Sequence, residues 1–152
     1  MASRIRIDDA SDPSSPGIMA YYRPLSLGAA AAFFLTGTAF LLIPSGVLGF
    51  FNRISRGFGM PPTGVEVPGL YLALTGGYMY AVTVLAFQMA RNPRNWVFPF
   101  LLAQAKAASS FFSLILCVFS RPVLILLANC AVDGLIAGAA FVFYRKIKSM
   151  NP

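Results

Sequence analysis

From Pro24 to Ile43 the chain reads PLSLGAAAAFFLTGTAFLLI, twenty residues without a charge. At about 1.5 Å per residue a helix of that length covers about 30 Å, the thickness of a bilayer's hydrocarbon core. A backbone in lipid has to satisfy its own hydrogen bonds, so a run of this kind has to be helical. Three more apolar runs follow, Gly69 to Ala90, Trp96 to Ser120 and Pro122 to Tyr144. The predicted fold is all-α, a polytopic membrane protein built as an antiparallel four-transmembrane-helix bundle. Its expected organisation is a polar cytoplasmic tail at 1–22, a transmembrane domain at 23–148 with spans at about 24–43, 69–90, 96–120 and 122–144, and a short C-terminal end at 149–152. Neither a second domain nor an internal repeat is visible.

Composition supports a membrane location. Hydrophobic residues make up 57% of the chain, charged residues only 11%, and the mean hydropathy is +0.69. A soluble domain carries about 25% charge. The formal charge of +7 does not mark a nucleic-acid binder, because the basic residues sit at the ends of apolar runs and not on one polar face. They report topology instead. Arg4, Arg6, Arg23, Arg91, Arg94, Arg145, Lys146 and Lys148 fall in segments on one side, against Arg53, Arg56 and Arg121 on the other. The positive-inside rule then puts both termini in the cytoplasm, with the chain multi-pass in the membrane.

The first run does not end cleanly. Pro44 and Ser45 interrupt it, yet Val47, Leu48, Phe50, Phe51 and Ile54 continue the apolar character with Asn52, Arg53, Ser55 and Arg56 interleaved. Mixed faces of that kind predict a short interfacial helix after the first span. Gly57 to Pro68, rich in Gly and Pro and containing Glu66, reads as a loop over the bundle. Met1 to Gly17 has no apolar run and no cleavage pattern, so it reads as a tail and not a signal peptide.

Two ionisable residues interrupt the later spans, Lys106 in the third and Asp133 in the fourth. A charge at the centre of a bilayer helix costs about 2.5–3.5 kcal/mol, so it is rare unless paired or functional. Lys106 lies ten residues past Trp96 and Asp133 eleven before Tyr144, which puts both about 15–16 Å from the same end of the bundle. The tight connection at Arg121 makes these spans antiparallel neighbours, so equal depth predicts a lateral ion pair. Ser109, Ser110 and Ser113 follow Lys106 in helical register, and Asn129 precedes Asp133 by one turn. Cys130, Gly134 and Gly138 form a small-residue row on the same helix. Tyr78 and Tyr80 bring hydroxyls to a similar depth on the second span, and Thr36, Gly37 and Thr38 do so on the first. The candidate polar network is thus Lys106, Asp133, Asn129, Ser109, Ser110, Ser113, Tyr78 and Tyr80. Two readings are open: a paired network that fixes helix register, or the lining of a polar cavity for a head group, a quinone or a proton.

The chain contains no histidine, which excludes haem held by His ligation, ordinary His-based metal sites and Ser/His or Cys/His catalytic pairs. Cys117 and Cys130 read as helix packing residues. No P-loop, zinc spacing, dinucleotide fingerprint or nucleophile elbow is present.

The first span with its GTAFLLIPSGVLGFF continuation, the Gly59, Met60, Pro61 loop, and three closely spaced spans after it resemble the DoxX-like small four-helix bacterial membrane proteins. That resemblance covers most of Tyr21 to Lys148. It implies the fold, and it includes subunits linked to quinone-dependent sulfur oxidation, but it supplies no catalytic residue for this chain. The expected function is a non-catalytic accessory or interaction subunit with no predicted cofactor. The alternatives are a membrane subunit of a quinone-linked redox complex, binding a quinone or lipid near Lys106 and Asp133, and a small transporter or proton-conducting protein. The expected partners are the lipid bilayer, other membrane subunits or further copies of the chain, and no nucleic acid.

Overall fold

A computed structural model describes residues 18–64, 69–120 and 122–150, and every regular element among them is a helix. The polar tail to Gly17, Glu66 and Arg121 lie outside the described residues. The helices are α1 (Ile18–Leu42), α2 (Pro44–Gly57), α3 (Gly69–Arg91), α4 (Val97–Phe119) and α5 (Leu124–Met150). All but α2 are long and apolar enough to cross a membrane.

The first and last helices reach further than the sequence predicts. Helix α1 starts at Ile18, inside the segment assigned to the polar tail, and Tyr22 is fully buried with its ring edge-on to Phe143 at 4.8 Å. Its neighbour Arg23 stays exposed. Helix α5 runs on through Arg145, Lys146 and Lys148 to Met150, and Ile147 is fully buried. No helix breaker precedes Asn151, so the basic residues form the last turns of the helix, where cations oppose its negative end.

The four spans alternate in direction. Gly37 meets Met79 while Leu41 meets Gly76, so α1 and α3 are antiparallel. Lys106 meets Asp133 while Ser110 meets Cys130, so α4 and α5 are too. The closely packed pairs are α1 with α3 and α4 with α5, and a smaller α3–α4 contact joins them. The face holding the start of α1 and the end of α5 is called the terminal face below, and the opposite one the α2 face.

The core is lopsided. Tyr22, Val82, Ala86, Leu102, Ala140, Phe143 and Ile147 interlock in the half towards the terminal face, with Phe33 at the inner edge of the cluster. The two helix pairs close on each other there and stay apart in the α2 half, where a cavity lies between them.

Helix α2 is the short helix predicted after the first span. Pro44 occupies its first turn, where a missing N–H costs nothing. Leu48 and Ser55 are buried while Phe50, Arg53 and Arg56 are exposed, and the helix packs against α5 and α1. Asn52 holds the following loop: its Nδ2 donates to the Thr63 carbonyl at 2.8 Å and its Oδ1 accepts from the Thr63 N–H at 2.7 Å. Replacing Asn52 with Ala removes both bonds, at about 0.5–1.5 kcal/mol each. The expected result is faster proteolytic cutting between Phe58 and Gly64 with the helical circular-dichroism signal of the spans unchanged. Unchanged cutting would mean that other contacts hold the loop.

Candidate functional site: a buried ion pair at the floor of a membrane cavity

Lys106 and Asp133 form the ion pair expected from their depths. The Lys106 ammonium donates to Asp133 Oδ1 at 2.8 Å, and the two residues are 3% and 4% exposed. The short α4–α5 connection sets the alignment, since one turn shorter or longer would shift the two charges by about 5.4 Å. The faces of two aromatic rings flank the ammonium, Phe33 at 4.5 Å and Tyr78 at 5.2 Å from their centroids. Both are within cation–π range. Four helices therefore meet at one charge, with Phe33 from α1 and Tyr78 from α3 added to the pair from α4 and α5.

The carboxylate is only half satisfied. Oδ1 takes the Lys106 hydrogen bond, while Oδ2 is buried without a hydrogen-bond partner among the described residues. An acceptor in that state carries an uncompensated desolvation cost of about 1–3 kcal/mol, more when charged.

The other candidate residues divide into separate groups. Asn129 Nδ2 donates to Ser113 Oγ at 2.7 Å and to Ser109 Oγ at 3.2 Å, a bridge between α5 and α4 nearer the α2 face. Tyr78 donates its hydroxyl to the Ala105 carbonyl at 3.2 Å. Ser110 lies in the α4–α5 seam, where its hydroxyl donates to the Cys130 carbonyl at 2.8 Å and touches the face of Gly134. It does not line the cavity. Gly138, expected in the same small-residue row, has open space beside it: a Cβ built there meets nothing within 4 Å.

Tyr80 is a correction. It is 72% exposed on the outer surface of α3 and takes no part in the network. Residues two apart on a helix point about 200° away from each other, so only one of Tyr78 and Tyr80 can face the bundle interior.

Above the pair, towards the α2 face, lies a cavity of about 950 Å³. Lys106 and Asp133 belong to its wall with Phe33, Tyr78, Ser109, Ser113 and Asn129, and the rest is largely apolar, including Phe40, Leu74, Ile125, Val132 and Ile136. A smaller apolar cavity of about 360 Å³ adjoins it between α1, α2 and α5, beneath Val47 and Phe51 of α2. The two share Thr36, Phe40, Ile125, Asn129 and Val132. The second space lies on the side of the bundle where α1 and α5 are not a closely packed pair. Phe33, Phe40, Ile125 and Val132 carry no mark in the sequence. Each is one apolar residue in a helix that is apolar all round.

This arrangement can hold a molecule with a small polar end and a long apolar body. Comparison with family models, with curated proteins and with solved structures finds no match for this chain.

Proposed function

We propose that this protein binds an amphipathic molecule taken from the lipid phase. The polar end sits against Lys106 and Asp133, and the apolar part runs out between α1 and α5 beneath α2. The observation that carries this reading is the cavity of about 950 Å³ with a buried ion pair in its wall and an adjoining apolar space. Ligand sites of this kind are typically concave, mostly apolar and supplied with a few converging polar groups. A pair that served register alone would call for packed side chains at that depth. A lipid or a quinone fits the chemistry, and binding of either suits a non-catalytic accessory subunit. A proton or solute path needs an opening to both faces, and the packed core of the terminal half argues against one. The layout that resembles DoxX-like proteins is compatible with this reading and adds no residue to the site.

The proposal includes a bacterial inner-membrane location with both termini in the cytoplasm. Its support is the charge asymmetry: Arg23, Arg91, Arg94, Arg145, Lys146 and Lys148 are exposed towards the terminal face, and Arg53 and Arg56 towards the α2 face.

Thr36 borders both cavities and is exposed, so Thr36→Trp would fill the adjoining space without disturbing the core. The expected result, read by native mass spectrometry of protein purified in mild detergent, is at least about tenfold less bound lipid-phase molecule than the parent carries, which corresponds to 1.4 kcal/mol of affinity. Thermal unfolding should stay close to the parent's. A parent protein that neither carries such a molecule nor takes one up from added lipid would sink the reading.

A further inference from the structure

We propose that the outer side of α5, where it reaches the terminal face, binds the head of an anionic phospholipid at a site separate from the ion-pair cavity. Phe141, Tyr144, Arg145, Lys148 and Ser149 line an open groove of about 390 Å³ there. Their spacing puts them on one stripe of the helix, and Arg145 and Lys148 are exposed one turn apart. The Lys148 ammonium is held in place: it donates to the Tyr144 hydroxyl at 3.1 Å and lies 5.5 Å from the centroid of the Trp96 ring. Tyr144 is fixed in turn among the rings of Trp96, Phe100 and Phe141, at 5.9, 5.1 and 5.6 Å. A free surface lysine loses side-chain entropy when it binds an anion, and contacts that already restrain it lower that cost.

Depth identifies the kind of anion. With Asp133 at the middle of its span, Phe141 stands about 12 Å from the midplane along the helix axis, Arg145 about 18 Å and Lys148 about 22 Å. The hydrocarbon core ends about 15 Å from the midplane and the head-group layer at about 20–22 Å. The groove thus sets an aromatic floor against acyl chains and two cations at the level of lipid phosphates. A free anion would meet only the cations, whereas a phospholipid meets both. The negative end of the α5 dipole does not cancel this attraction. It amounts to about half a charge, against the three positive charges of Arg145, Lys146 and Lys148. Asp133, the one acidic residue among the described residues, is buried far from the groove and paired with Lys106.

The test offers the full-length protein in detergent an equimolar mixture of dioleoyl phosphatidylglycerol and dioleoyl phosphatidylcholine, whose tails are identical and whose heads differ in net charge. Native mass spectrometry reads which is retained. The groove is open to detergent, so its occupancy is read with added lipid and not with what co-purifies. The expected result is at least about a tenfold preference for phosphatidylglycerol, since each basic residue near a membrane surface contributes about fivefold. Arg145→Gln combined with Lys148→Gln should cut the preference to about twofold or less. Both side chains are exposed, so thermal unfolding of that variant should stay close to the parent's. Arg23→Gln combined with Arg91→Gln removes the same charge from the same face outside the groove and should keep most of the preference, as should Thr36→Trp at the cavity. Equal retention of the two lipids by the parent overturns the proposal. An equal loss in the Arg23 and Arg91 variant overturns it in favour of diffuse attraction to the whole basic face, and a loss in Thr36→Trp moves the lipid to the cavity. Displacement of phosphatidylglycerol by added inorganic phosphate overturns the lipid in favour of a free anion. Should the Arg145 and Lys148 variant not fold, the parent's preference and the control pair decide.

Discussion

Lys106→Met is expected to destabilise the protein by about 3–5 kcal/mol, because it leaves the Asp133 carboxylate buried, 4% exposed, with neither oxygen paired. The methionine fills the space of the lysine stem and keeps contact with Phe33 and Tyr78, so the loss isolates the charge and not the packing. Asp133→Asn should cost less, since an amide oxygen still accepts from the ammonium and two aromatic faces remain beside it. Combining Lys106→Met with Asp133→Leu should recover most of the loss, because an apolar pair of similar volume needs no compensation. The measurement is unfolding in detergent for the parent, Lys106→Met, Asp133→Leu and the double, arranged as a double-mutant cycle. Strictly additive effects, or a loss below about 1 kcal/mol for Lys106→Met, would mean that the two side chains do not depend on each other.

Gly37→Ala is expected to cost about 1–3 kcal/mol by forcing apart α1 and α3. A Cβ built at Gly37 stands 2.7 Å from Met79 Cβ, and that atom is attached to the α3 backbone and cannot swing aside by changing rotamer. The helices themselves would have to move. Gly77→Ala is the control: a Cβ there meets nothing within 4 Å, so it should be neutral or stabilise by up to about 1 kcal/mol through helix propensity. Thermal unfolding of both variants reads the contrast, and equal stability would show that α1 and α3 tolerate a wider spacing. Because Phe33 lies one turn from Gly37 on α1 and contacts the Lys106 ammonium, a displaced α1 should also weaken ligand retention.

The alignment of Lys106 with Asp133 was legible because a charge inside an apolar run is costly and a short connection leaves little freedom in depth. The assignment of the hydroxyls was legible only in part. Tyr78 and Tyr80 have the same chemistry at nearly the same depth, and which one faces the interior depends on the rotation of α3 about its axis. Ser109, Ser110 and Ser113 likewise share a stripe, yet Ser110 turns into the α4–α5 seam while the other two line the cavity. Gly37, Gly134 and Gly138 look alike in sequence, and contact with a neighbouring helix separates them.

Helix number, span positions, the antiparallel order and the central ion pair follow from the sequence by itself, because lipid penalises unpaired charges and unbonded backbone wherever they occur. The helix rotations, the lopsided core, the unpaired Oδ2 and the second cavity beneath α2 were decided only by the tertiary structure. In water a helix advertises its buried face through its apolar period, but lipid is as apolar as a protein interior. Leu35 faces outward and Phe33 inward on the same helix, with nothing in their chemistry to tell them apart. A space between two helix pairs is a property of how the pairs diverge, and no single run of residues encodes it.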